Sequence, residues 1–146
     1  MPKDRHKLVP AAYLLLVKDE KILLLRRYNT GYEDGNYSLP AGHVEAQESA
    51  ITALVREAHE EVGLAILPVS LRMVHVMHRK GIDGSERVDF FFVTNDWPGE
   101  PQNVESEKCD DLNWFPLSEL PENTIPYIRF ALKSWQKGVL YSEYGW

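Results

Sequence analysis

An α/β (α+β) fold, a mixed β-sheet with two packed helices, is what the order of elements in this sequence predicts. Three observations carry that prediction. Runs rich in Leu, Val and Ile recur between turn residues in the first thirty positions and again after Gly63. Between them Ile51, Leu54, Val55, Ala58 and Val62 recur at helical spacing and make one apolar stripe. Near the end Ile128, Ala131, Leu132 and Trp135 make a second.

The elements follow in order. The stretch LVPAAYLLLVKDEKILLLRRY reads as two strands joined at Asp19-Glu20. Gly31 and Gly35 mark a loop before YSLPAG. A helix runs from about Ser49 to Val62, and Gly63 ends it as a left-handed cap. LPVSLRMVHVMHR and ERVDFFFVTND form a long hairpin around Gly81 and Gly84. WPGEPQNVESEKCDD is a polar loop, LNWFPL a short strand, and the last helix runs from about Pro126 to Lys137. With no repeat or low-complexity run, residues 1–146 are expected to form one domain, long enough to bury its own core. The tail YSEYGW, with Tyr141, Tyr144 and Trp146, either docks back on the domain or buries itself in a second copy as a homodimer.

A net charge of −6 argues against binding a nucleic-acid polymer, which needs a basic surface. It also means that an anionic substrate needs a cation or a local cluster of Arg and Lys. Cys109 is the sole cysteine, so no intramolecular disulfide forms, which suits a reducing, cytoplasmic setting. The first ten residues carry no apolar run of the signal-peptide kind, and AAYLLLV is too short to span a bilayer, so no membrane partner is expected.

The stretch REAHEEVG concentrates carboxylates. On a helix Glu57, Glu60 and Glu61 share a face that is not the apolar stripe. One reading is solvated surface glutamates, whose mutual repulsion costs only a few tenths of a kcal/mol. The other is a hard, all-oxygen cradle for Mg²⁺ or Mn²⁺. Spacing alone admits both. The wider stretch decides, because GHVEAQESAITALVREAHEEVGL, Gly42 to Leu64, resembles the Nudix box at every fixed position: Gly42, Glu48, Arg56, Glu57, Glu60, Glu61 and Gly63. At ordinary residue frequencies such a match arises by chance in about one in a million chains of this size. The resemblance extends to LLLRR at Leu23–Arg27, to YSLPAG, and to WFPLSEL, with Ala41 where many members carry Gly.

That resemblance implies an α/β/α sandwich and hydrolysis of a nucleoside diphosphate linked to some further group, with a divalent metal. It implies Glu57, Glu60 and Glu61 as metal ligands, with the Gly42 carbonyl. Arg56 would pair with Glu48 or Glu57 to orient the carboxylates. The proton of the attacking water would go to Glu57 or Glu61, or to a later-loop carboxylate, Glu107 and then Glu105.

Other residues carry weaker signals. Arg26 and Arg27 face opposite ways on a strand, so at most one of them points into the cleft; Arg27 is a phosphate contact or a rim ion pair. His78 and Arg79, at a hairpin end, are candidates to meet a substrate phosphate. His43, His59, His75 and His78 show no zinc spacing. Tyr32, Tyr37, Trp97 and Tyr127 are aromatic faces on which a base can stack. The secondary marks of the ADP-ribose, diadenosine polyphosphate, NADH and coenzyme A subfamilies are absent. What remains is the compact group that splits nucleoside triphosphates to monophosphate and pyrophosphate. ADP-ribose or a nucleotide sugar is the alternative substrate, and a nucleotide sensor without turnover is the non-enzymatic one.

Overall fold

The computed structural model describes residues 3–146. In chain order the elements are β1 (Val9–Lys18), β2 (Lys21–Arg27), β3 (Tyr37–Ser38), β4 (Ala41–His43) and α1 (Ala50–Val62). There follow β5 (Arg72–Lys80), β6 (Glu86–Thr94), β7 (Cys109–Pro116), α2 (Pro126–Gln136) and β8 (Tyr141–Tyr144).

Strand β1 is the axis. Ala12, Leu14 and Leu16 pack into one core with Leu54, Ala58 and Val62 of α1. Ala11, Tyr13 and Leu15 pack into another with Ile128, Ala131 and Leu132 of α2. A strand buried on both faces needs an unbroken apolar run, which AAYLLL supplies. The result is helix, mixed sheet, helix, as the sequence predicts.

Strand β6 runs parallel to β1 from Val9↔Arg87 to Leu16↔Thr94. Outside it lie β5, antiparallel, and β8, parallel to β5. On the other side β4 pairs with the first half of β1, while β2 pairs with β1 only at Val17↔Ile22 and Lys18↔Lys21. The turn between them uses Asp19 and Glu20 at φ 52° and 61°, the left-handed pair that a tight hairpin requires. Past that turn β2 pairs instead with β3 and β7. Strands β1 and β2 therefore diverge, and the opening between them holds the site.

Three details differ from the sequence reading, and a fourth follows one of its two alternatives. Pro68–Ser70 is a 3-10 turn rather than strand, in keeping with a proline that cannot donate to a ladder. The strand expected at LNWFPL begins earlier, at Cys109. YSLPAG and the histidine after it contain the short strands β3 and β4, too brief to show a two-residue period. The aromatic tail forms β8 and docks on its own chain, where Trp146 Nε1 donates to the His78 carbonyl at 3.0 Å.

Candidate active site

Helix α1 is pinned at both ends. Ser49 Oγ accepts from the Thr52 amide at 3.1 Å, and Gly63, at φ 70°, donates its N–H to the His59 carbonyl at 3.1 Å. Between those caps the helix sets Glu57 and Glu61 against β4, with Glu60 on the wall of the same cavity. A Cβ on Gly42 would stand 2.2 Å from Glu57 Cδ, so only glycine lets that carboxylate lie against the strand. Glu61 accepts from the Ala41 amide at 3.2 Å. Burial, and next the charge of Glu57, push the Glu61 carboxyl well above the usual carboxylate range.

Arg56 ties the cluster together. Its Nη2 donates to Glu48 at 2.7 Å and its Nη1 to Glu57 at 2.8 Å, and Glu60 lies 3.5 Å from Nη1. The sequence left open whether Arg56 pairs with Glu48 or Glu57; it holds both. Glu48, which also accepts from the Glu45 amide at 2.7 Å, is held below the usual range chiefly by Arg56.

Gly42, Glu57, Glu60 and Glu61 line a cavity of about 500 Å³, with Arg27, His43, Glu105, Lys108 and Cys109 among its other walls. The donor set is all oxygen, which suits a hard divalent cation. Among the described residues no three acidic, His or Cys side chains are already gathered as a metal cage. The reason is visible: Arg56 draws Glu57 and Glu60 while a backbone amide holds Glu61. The residues fit such an ion by chemistry and by the close Gly42–Glu57 approach, with substrate oxygens needed to complete its shell.

Arg27 lines this cavity and, among the described residues, forms no rim ion pair; it donates to the Tyr32 carbonyl at 2.6 Å and to Thr30 Oγ1 at 3.1 Å. Its neighbour Arg26 faces the other way and pairs with Asp110 at 2.7 Å. Two expectations need correction. Arg79 is not free at a hairpin end: it is 3% exposed, bonded to Asp89 at 2.7 Å, with its guanidinium 3.7 Å from the centre of the Tyr127 ring. Among the late-loop carboxylates Glu105, the second choice, faces the cavity, while Glu107 is exposed outside its lining. Burial raises the Glu105 carboxyl above its ordinary range.

Tyr32 and Tyr127 line neighbouring chambers, whereas Tyr37 is buried in the core and Trp97 stacks on Trp114. His75 is a buried structural residue bonded to the Val139 carbonyl and to Ser142 Oγ. Burial raises the Cys109 thiol above its ordinary range, and its Sγ donates to the Asp111 carbonyl at 3.2 Å. Sequence reasoning passed over Lys108 and Arg87. The signal available for Arg87 was alternation, since Arg87, Asp89 and Phe91 share one face of β6.

Comparison with known proteins gives a consistent picture. The family described as NUDIX domain matches residues 7–135. A curated protein of Methanocaldococcus jannaschii, ADP-ribose pyrophosphatase, is 32% identical over 84% of this chain and 71% of its own length. Uncharacterized Nudix hydrolase YvcI of Bacillus subtilis is 31% identical over 73% of this chain, a match spanning 65% of that protein. Among solved structures, the MutT NUDIX hydrolase from Burkholderia pseudomallei superposes with a TM-score of 0.80 and 29% identity, over 88% of this chain and 98% of that one.

Proposed function

We propose, from the premise that this chain belongs to the Nudix family and hydrolyses phosphoanhydride bonds, that it acts on a nucleoside diphosphate linked to a further group, splitting a nucleoside triphosphate or modified nucleotide to monophosphate and pyrophosphate. The observation that carries this reading is the seating of Glu57 against Gly42, beside a half-buried Glu61 that accepts from the Ala41 amide. Glu57, Glu60, Glu61 and the Gly42 carbonyl are the groups that would hold Mg²⁺ or Mn²⁺. Such an ion, when bound, offsets the charge of the diphosphate and polarises its oxygens.

The protein's own residues do the rest. Arg56 aims Glu57 and Glu60 and keeps Glu48 ionised, so it orients carboxylates rather than touching substrate. Glu105 is the favoured acceptor for the proton of the attacking water: it faces the same cavity, lies outside the grip of Arg56, and has a raised proton affinity. Lys108 and Arg27 supply positive charge on the same walls for the phosphates. ADP-ribose is the second reading, favoured by the printed activity of the Methanocaldococcus jannaschii relative.

The test is a panel of nucleoside triphosphates, modified nucleotides, ADP-ribose and nucleotide sugars with Mg²⁺ or Mn²⁺, scored for phosphate after a coupling enzyme. Glu60→Gln should lose at least about 4 kcal/mol of transition-state stabilisation, roughly a thousandfold in kcat/KM, with its circular dichroism unchanged. Full activity in that variant would remove Glu60 from the ion site.

A further inference from the structure

Two arginines beside the carboxylate cluster are built alike. Arg27 donates to Thr30 Oγ1 at 3.1 Å, and that hydroxyl donates to Asp34 at 2.6 Å. Arg87 Nε donates to Ser85 Oγ at 3.2 Å, and that hydroxyl donates to Asp83 at 2.7 Å. In both, a hydroxyl stands between guanidinium and aspartate, so the cation is aimed without entering an ion pair. Arg26, Arg56 and Arg79, by contrast, bind carboxylates directly. Further anchors fix each head: the Tyr32 carbonyl accepts from Arg27 at 2.6 Å, and His43 Nε2 lies 3.3 Å from Arg87 Nη1.

The two side chains line one chamber of about 370 Å³. It shares Gly42 and His43 with the carboxylate cavity, and Tyr32, Arg87 and Tyr127 with a further chamber of about 420 Å³ that adds Ile82 and Ile125. The groove thus runs from carboxylates to paired cations to an aromatic and aliphatic wall. Guanidinium donors left free of carboxylates in a concave site match phosphate oxygens, and flat apolar walls match a ring.

We propose that Arg87 joins Arg27 in an anion clamp that holds the substrate's diphosphate, with the nucleoside ring beyond it along the wall of Tyr32, Ile82 and Ile125. Arg87 is then a binding residue that selects nucleoside diphosphate derivatives. This rests on the substrate class proposed above, and its test separates the two. The full-length protein, Arg87→Gln, Arg87→Lys and Ser85→Ala are compared in two assays. One is hydrolysis of the best substrate of the panel. The other is equilibrium binding of α,β-methylene ADP with Mg²⁺, and of adenosine.

For Arg87→Gln, KM and the Kd of the methylene analogue should rise about tenfold or more, with a smaller change in kcat and in adenosine binding. Arg87→Lys should fall between it and wild type. Ser85→Ala, which keeps the charge and frees its aim, should show a smaller rise in the same constants and serves if Arg87→Gln does not fold. Analogue Kd within about twofold of wild type in Arg87→Gln, or in both Arg87→Lys and Ser85→Ala if Arg87→Gln does not fold, overturns the clamp, and so does wild type that fails to bind the analogue. Binding through Arg87 without hydrolysis of any diphosphate would leave the clamp standing and remove the hydrolytic substrate instead.

Discussion

A single methyl group on Gly42 would overlap the Glu57 carboxylate, at 2.2 Å from Cδ and 2.3 Å from Oε1. The atoms in the way are the far end of a flexible side chain, so Gly42→Ala should displace Glu57 rather than unfold the strand. The expected outcome is a loss of kcat of about a hundredfold or more, with the melting temperature within a few degrees of wild type, checked by kinetics and thermal melts on the same sample. A second residue reports through its titration. Burial first, and then Asp111, which accepts its hydroxyl, push the Tyr37 phenol up to about 12. Because the folded value lies above the ordinary value of about 10, the associated stability is whole below pH 10 and is lost as pH rises through 12. Urea unfolding across that window should show a shallower decline for Tyr37→Phe; equal slopes would mean that Tyr37 does not titrate there.

At the scale of elements, β5 and β6 are joined by charge as well as by their ladder. Arg79 of β5 and Asp89 of β6 bond at 2.7 Å with side chains 4% and 0% exposed. Breaking such a pair from one side strands a buried charge, so Asp89→Ala should cost about 3–5 kcal/mol. Replacing both, Arg79→Met with Asp89→Leu, should recover most of that loss, and chemical denaturation of the single and double variants measures it. The pair also leaves Arg79 engaged from two sides, with its charge met by Asp89 and its guanidinium over the Tyr127 ring. Helix α1 follows another logic. Its two caps fix the ends of a thirteen-residue element, and the carboxylates on its last turns inherit that rigidity.

For the whole molecule, a cation site assembled from α1, β4 and a bound diphosphate should make stability depend on all three together. Mn²⁺ with a non-hydrolysable nucleotide, at about a hundred times its Kd, should stabilise the fold by about 2.7 kcal/mol. That corresponds to a rise of roughly 5–10 °C in melting temperature for a chain of this size, reversed by EDTA. Unchanged melting under saturating metal and nucleotide would refute the ion site. The same scale divides what was legible in the chain from what was not. Stripe periodicity placed both helices, and the i, i+3, i+4 spacing put Glu57, Glu60 and Glu61 on one face beside Arg56, because neighbours along a helix are set by its own pitch. Local spacing did not reveal that Glu105 rather than Glu107 faces the cavity. Nor did it reveal that Arg79 is consumed by Asp89, or that Arg87 reaches the chamber of Arg27. Those outcomes turn on register between strands far apart in the chain, Val9↔Arg87 and Arg27↔Cys109 among them, and register is decided by how two apolar cores close on either side of β1.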